Sequence, residues 1–138
     1  MQMKTILVVD DSRIMRNIVK NHFSELKMVC RYLEAVNGNE ALEMMGNNKI
    51  DLVLLDWNMP ELNGMEFLKR VRAVDRYSKL PIIMVTSEAA RYNVIEALKT
   101  GATDYIIKPI NGKLFNEKVL KIFKYTEKKS DTIHSPFH

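Results

Sequence analysis

Residues 52–56, Leu-Val-Leu-Leu-Asp, place four apolar side chains in succession and then a carboxylate. A strand with one wet face would alternate, whereas an unbroken apolar run suits a strand covered on both faces, as in a parallel sheet sandwiched by helices. Outward from this stretch the pattern recurs. Ile6-Leu7-Val8-Val9 is followed by Asp10-Asp11, Ile82-Ile83-Met84-Val85 by Thr86, and Tyr105-Ile106-Ile107 by Lys108, with a weaker run from Arg31 to Val36. Between these runs, apolar residues return at helical spacing: Ile14, Met15, Ile18, Val19, Phe23 and Leu26; then Met65, Phe67, Leu68 and Val71; then Val94, Ile95 and Leu98. Ser12 is placed to cap the first helix, Asn37-Gly38 turns into the second, Asn63-Gly64 opens the third and Thr100-Gly101 closes the fourth. Strand and helix therefore alternate, and right-handed crossovers put helices on both faces. The expected fold is α/β, a doubly wound five-stranded parallel sheet with five helices.

The last helix is expected over residues 113–126, with Phe115, Val119, Ile122 and Phe123 toward the sheet and Lys113, Lys118, Lys121 and Lys124 toward solvent. The domain is expected to span 1–126, and 127–138, which lacks periodicity, to be a flexible tail. A chain of 138 residues with 46% hydrophobic and 28% charged content is sized for one globular domain. No apolar run approaches the roughly 18 residues that cross a bilayer. The single cysteine, Cys30, excludes an intramolecular disulfide scaffold and a cysteine-based zinc site. A cytoplasmic location follows as the expectation. The net charge of +4 comes from 21 basic and 17 acidic residues with no dense basic run along the chain, which speaks against nucleic acid as a ligand.

In open α/β sheets ligands bind beyond the carboxyl ends of the strands, so the polar residues that end these runs are the candidates for chemistry. Asp10, Asp11 and Asp56 brought to one edge would repel unless a cation sat among them, and an all-oxygen set suits Mg²⁺. Lys108 and Thr86 add a positive charge and a hydroxyl, the groups that grip the oxygens of a transferring phosphoryl group. No phosphate-binding G-x-x-x-x-G-K-[ST] loop and no serine–histidine pair occurs, and His22 stands alone on a helical stretch. A carboxylate is then left as the nucleophile. Asp56, isolated from the other two, is the candidate for an aspartyl phosphate.

Val8-Val9-Asp10-Asp11-Ser12, Asp56-Trp57-Asn58-Met59-Pro60, Thr86-Ser87-Glu88-Ala89 and Lys108-Pro109 together resemble the receiver domain of two-component response regulators, in particular its single-domain chemotaxis branch. The resemblance covers about residues 4–125. It implies the flavodoxin-like strand order 2-1-3-4-5, for which the chemotaxis regulator is itself a standard example. It implies that Asp56 accepts a phosphoryl group from a histidine kinase, that Asp10, Asp11, Asp56 and the backbone carbonyl of Asn58 hold Mg²⁺, and that Thr86 and Lys108 bind the phosphoryl oxygens. The Lys108–Pro109 bond is expected to be cis. Asn58 and Glu88 border the phosphoryl group and tune its lifetime, and Tyr105 is the aromatic switch. The implied output is phosphorylation-dependent binding to a flagellar motor switch protein by a monomer that catalyses only its own phosphorylation and dephosphorylation, with a phosphatase as a further partner. A single-domain phosphate sink or phosphorelay intermediate is the alternative. A Mg²⁺-dependent phosphohydrolase acting through an aspartyl phosphate is more remote, because Asp56-Trp57-Asn58 lacks the second acid of Asp-x-Asp. Ala90-Arg91 and Ile110-Asn111 depart from common chemotaxis residues and bear on partner identity.

Overall fold

The computed structural model describes residues 3–87 and 91–134, without the side chains of Arg91, Tyr92 and residues 125–134. The elements are β1 (Lys4–Val9), α1 (Arg13–Glu25), β2 (Cys30–Ala35), α2 (Gly38–Asn47), β3 (Leu52–Asp56), α3 (Gly64–Arg72), a 3₁₀ turn (Asp75–Tyr77), β4 (Ile82–Thr86), α4 (Arg91–Thr100), β5 (Asp104–Ile107) and α5 (Gly112–His134). The strands form one sheet in the order β2-β1-β3-β4-β5, and every pairing is parallel.

The uninterrupted apolar runs divide between two layers. Leu7, Val9, Val53, Leu55, Ile82 and Met84 pack with Met45, Phe67, Leu68, Val71 and Ala97 of α2, α3 and α4. Ile6, Val8, Leu52, Leu54, Ile83 and Val85 face the other way, onto Val19 and Phe23 of α1 and Phe115, Val119 and Phe123 of α5. The central strands β1, β3 and β4 thus serve two cores, which is why their apolar runs admit no polar residue before the carboxyl end.

The helix boundaries follow local chemistry. Ser12, Asn37 and Asn63 each accept a hydrogen bond from the backbone N–H three residues on, at Met15, Glu40 and Glu66. Gly101 ends α4 at φ +124°, a left-handed conformation that suits glycine.

Three expectations about packing need correction. In α4 the sheet-facing residue is Ala97, while Ile95 and Leu98 are 40% and 42% exposed. The small side chain lets the helix lie close, and the larger aliphatics fall to its flanks. Ile14 is 73% exposed because the first turn of α1 lies beyond the strands, whereas Val19 and Phe23 a turn or more later are buried. Lys118 does not simply project into solvent. It donates to Asp104 Oδ1 at 2.9 Å and to the Tyr105 carbonyl at 2.6 Å. In addition, α5 does not stop at 126 but continues as helix to His134. Thr126 to His134 contain neither glycine nor proline, and Pro136 is the first residue that disfavours helix in what precedes it. Residues 135–138 lie outside the described residues.

Phe115 fastens α5 to α1 and the sheet: it is fully buried and meets Phe23 edge-on with ring centroids 5.0 Å apart. Phe115→Ala is expected to cost about 3–5 kcal/mol through lost burial and the cavity left behind. A urea unfolding series, with the midpoint compared between the two proteins, measures it.

Candidate functional site

At the centre of the sheet the connections diverge, β1 leading through α1 to β2 on one side and β3 through α3 to β4 on the other. This reversal opens a crevice above the carboxyl ends of β1 and β3. Register sets what stands in it. Val9 pairs with Leu55, so Asp10, the next residue, is level with Asp56. Asp56 pairs with Val85, and Thr86 with Ile107, so Thr86 and Lys108 arrive at the same end. The Lys108 N–H donates to the Thr86 carbonyl at 2.8 Å, extending the ladder one step beyond β5.

Asp10, Asp56 and Thr86 are the buried polar residues among those described. Lys108 Nζ stands between the two acids, 3.1 Å from Asp56 Oδ1 and 3.2 Å from Asp10 Oδ2. Asp11 is exposed, yet the carboxylates of Asp10, Asp11 and Asp56 can each present an oxygen within 4.8 Å of the others. The electrostatics follow from this crowding. Burial pushes the Asp56 carboxyl above its ordinary value and repulsion from Asp10 adds to it, with Lys108 opposing. For Lys108, burial alone would lower the ammonium, but the attraction of Asp56 and Asp10 prevails and raises it. Two buried carboxylates and a third at the rim exceed what one ammonium neutralises. Such a donor set of hard oxygens fits a divalent cation that keeps part of its water shell, and Mg²⁺ is the biological cation of that kind.

The supports of Asp10 are not legible in sequence. Its Oδ1 accepts from the Ser12 N–H at 2.9 Å, and its carbonyl accepts from Arg16 at 2.8 Å. Arg16 in turn donates to Glu34 Oε1 at 3.0 Å, and Lys20 donates to Glu34 Oε2 at 3.1 Å. Burial would raise the Glu34 carboxyl, but the hydrogen bonds from Lys20 and Arg16 outweigh it and hold it below the ordinary range. Arg16 and Glu34 lie on α1 and β2, 18 residues apart, and only the fold joins them.

Gly64 is the second unforeseen contributor. Its sequence signal, Asn63-Gly64 at a helix start, reveals a cap but not a close approach. A Cβ on Gly64 would stand 2.5 Å from the Asp56 carbonyl oxygen and 3.0 Å from Trp57 Cα. The Gly64 N–H also donates to the Trp57 carbonyl at 3.0 Å, so α3 begins directly against the end of β3. Glu61 in the intervening loop takes φ +65°.

The remaining candidates are placed as follows. Asn58 is exposed two residues after Asp56, and Trp57 is half-buried against the α2–α3 layer. The Lys108–Pro109 bond is cis. Tyr105 is half-buried on β5, its ring 4.3 Å from Lys118 Nζ. Glu88 lies outside the described residues.

A βα sandwich with this strand order and an acid pair, threonine and lysine at its carboxyl edge defines a receiver. The chain belongs to the response regulator receiver domain family, whose model matches residues 6–120. It is 45% identical over 115 residues to a chemotaxis protein CheY homolog of Campylobacter jejuni, covering 83% of this chain and 88% of that one. To the chemotaxis protein CheY1 of Helicobacter pylori it is 47% identical over 115 residues, covering 83% and 92%. The solved chemotaxis response regulator CheY4 of Vibrio cholerae superposes with a TM-score of 0.79 at 30% identity, over 88% of this chain and 99% of that one. Among the described residues, no helix is long and apolar enough to cross a membrane.

Gly64→Ala tests whether the α3 start holds the site in shape. The added methyl has to displace backbone, so a loss of about 1–3 kcal/mol in stability is expected. Mg²⁺ titration followed by Trp57 fluorescence should show weaker binding in the folded variant than in the wild type.

Proposed function

We propose that the chain is a chemotaxis response regulator phosphorylated on Asp56 by a histidine kinase in a Mg²⁺-dependent reaction. The observation that carries this reading is Lys108 Nζ held between Asp10 and Asp56 at the crevice of the sheet. An ammonium there is already poised at the acceptor carboxylate and can transfer its hydrogen bond to a phosphoryl oxygen as that group arrives.

In the proposed reaction an Asp56 carboxylate oxygen attacks phosphorus of a phosphohistidine. The P–O bond forms as the P–N bond breaks, and the imidazole leaves with the bonding electron pair and takes up a proton. Asp10, Asp11, Asp56 and the Asn58 carbonyl would hold Mg²⁺, which supplies positive charge against the phosphoryl oxygens. Lys108 and the Thr86 hydroxyl bind those oxygens. The family resemblance gives Asn58 and Glu88 the control of hydrolytic water, and the chain acts only on its own phosphoryl group.

The output is a shift between two states of the α4-β5-α5 face. Phosphorylation draws Thr86 toward the site, Tyr105 takes the space released, and binding to a flagellar motor switch protein strengthens. Exposed Ile95 and Leu98 on α4 and Leu114 on α5 give this face apolar area for a partner, which supports the reading. The similarity to curated chemotaxis proteins supports it as well.

The test is the affinity of a motor-switch amino-terminal peptide for the protein in Mg²⁺, with and without beryllium fluoride as phosphoryl mimic. A gain of roughly 10-fold or more with the mimic is expected, a coupling of ordinary size, and it should vanish in Asp56→Asn. Equal affinity in both states, with the mimic shown to occupy the site, would point instead to a phosphate sink or relay. Tyr105→Ala should still bind the mimic but lose the gain in peptide affinity. An undiminished gain would remove Tyr105 from the switch.

A further inference from the structure

We propose that the amino-terminal end of the sheet, opposite the phosphoacceptor, carries a binding site for a small organic polyphosphate of nucleotide size. A hollow of about 390 Å³ lies there, between the start of β1, the segments leading into β3 and β4, and the side of α5. That volume is in the range of small-molecule sites. Lys4, Lys49, Arg76 and Lys79 line it, with Asp51 as the single carboxylate. The hollow thus collects a local charge of +3 on a chain whose whole net charge is +4.

These four cations share with most described lysines and arginines the lack of a carboxylate partner, and what sets them apart is that they line one hollow. Arg16, Lys20, Lys108 and Lys118 each pair with a carboxylate, whereas none of the four in the hollow forms an ion pair among the described residues. One oxygen of Asp51, Oδ2, is engaged by the Thr5 N–H at 2.8 Å. Two of the cations are held by aromatic rings instead. Lys4 Nζ is 5.5 Å from the Phe123 ring centroid, and the Arg76 guanidinium carbon is 4.7 Å from that of Tyr77. A cation over a ring keeps its N–H groups available to an anion. Four unneutralised charges around one concavity repel one another, and a polyanion that bridges them converts the repulsion into binding energy.

The shape selects among anions. A nucleic acid needs an extended basic stripe along its phosphates, while this cluster is confined to one hollow. A monophosphate would reach only part of the cationic rim. A chain of two or three phosphates spans more of it, and the apolar wall of Leu80 and Pro81 offers a surface to an attached organic group. The site stands apart from the aspartate crevice, so its occupancy does not depend on the receiver chemistry.

The experiment uses the whole 138-residue chain in EDTA and low salt, so that no metal–phosphate complex forms at Asp56. Calorimetric titrations with ATP, inorganic pyrophosphate and adenosine are followed by amide NMR shift mapping. ATP is expected to bind, more weakly as salt rises, with shifts at Lys4, Ile50, Asp51, Tyr77 and Leu80. Pyrophosphate competing with it would support a phosphate-directed site, and its affinity relative to ATP measures what the organic group adds. The exposed double reversal Lys49→Glu with Lys79→Glu should weaken ATP by roughly 10-fold or more, the equivalent of a tenth of the binding constant, without altering the unfolding midpoint appreciably. No ATP binding at millimolar concentration would overturn the proposal. Equal binding by adenosine, shifts confined to Asp10, Asp56 and Lys108, or an unaffected double variant would overturn it too, as would duplex DNA shifting these amides where ATP does not.

Discussion

Two buried carboxylates share one ammonium at the carboxyl end of the sheet, and much of the molecule is arranged so that this is tolerable. Asp10 and Asp56 at neighbouring strand ends repel each other, and removing either from water is costly. Lys108 offsets part of that cost only because β5 is in register with β4, β4 with β3, and β3 with β1. A slip at any of these pairings would withdraw the cation and leave the acids uncompensated. The parallel sheet is therefore the device that measures the distance between charge and countercharge.

Around that triad the supports act through backbone as much as through side chains. Arg16 binds the Asp10 carbonyl and not its carboxylate, so it fixes the position of the acid without neutralising it. Glu34 anchors Arg16 from β2 and shares Lys20, forming a small ion cluster on the far side of β1 from Asp56. Gly64 lets α3 start against the Asp56 carbonyl. These arrangements leave the carboxylate oxygens facing the crevice, where an incoming group and a cation would meet them.

The sheet is polarised along its strands. Three carboxylates gather where β1 and β3 end, and four cations line one hollow near where β1, β3 and β4 begin. Lys118 illustrates how a charge can serve the region between: its ammonium lies over the Tyr105 ring while bonded to Asp104 and to the Tyr105 carbonyl. This ties α5 to the edge strand beside Tyr105. Any rearrangement of Tyr105 has to proceed against or with that contact.

The order of elements, the two-sided burial of the strands and the identities of Asp10, Asp11, Asp56, Thr86 and Lys108 were readable from the chain alone. The reason is local: a strand buried on both faces must be apolar on successive residues, so the first polar residue after it marks the strand's end and, in a parallel sheet, the ligand edge. Capping by Ser12, Asn37 and Asn63 was readable for the same reason, since an N-cap engages an N–H three residues away. What the linear chain did not disclose were relations between distant segments. The outward placement of Ile95 and Leu98, the Arg16–Glu34 support, the closeness of Gly64 to Asp56 and the capture of Lys118 by Asp104 each depend on how elements pack. The basic residues read as diffuse because position 4, position 49 and the pair at 76 and 79 are far apart in sequence. Tertiary structure alone makes them neighbours, because parallel strands bring all their beginnings to one end and all their endings to the other.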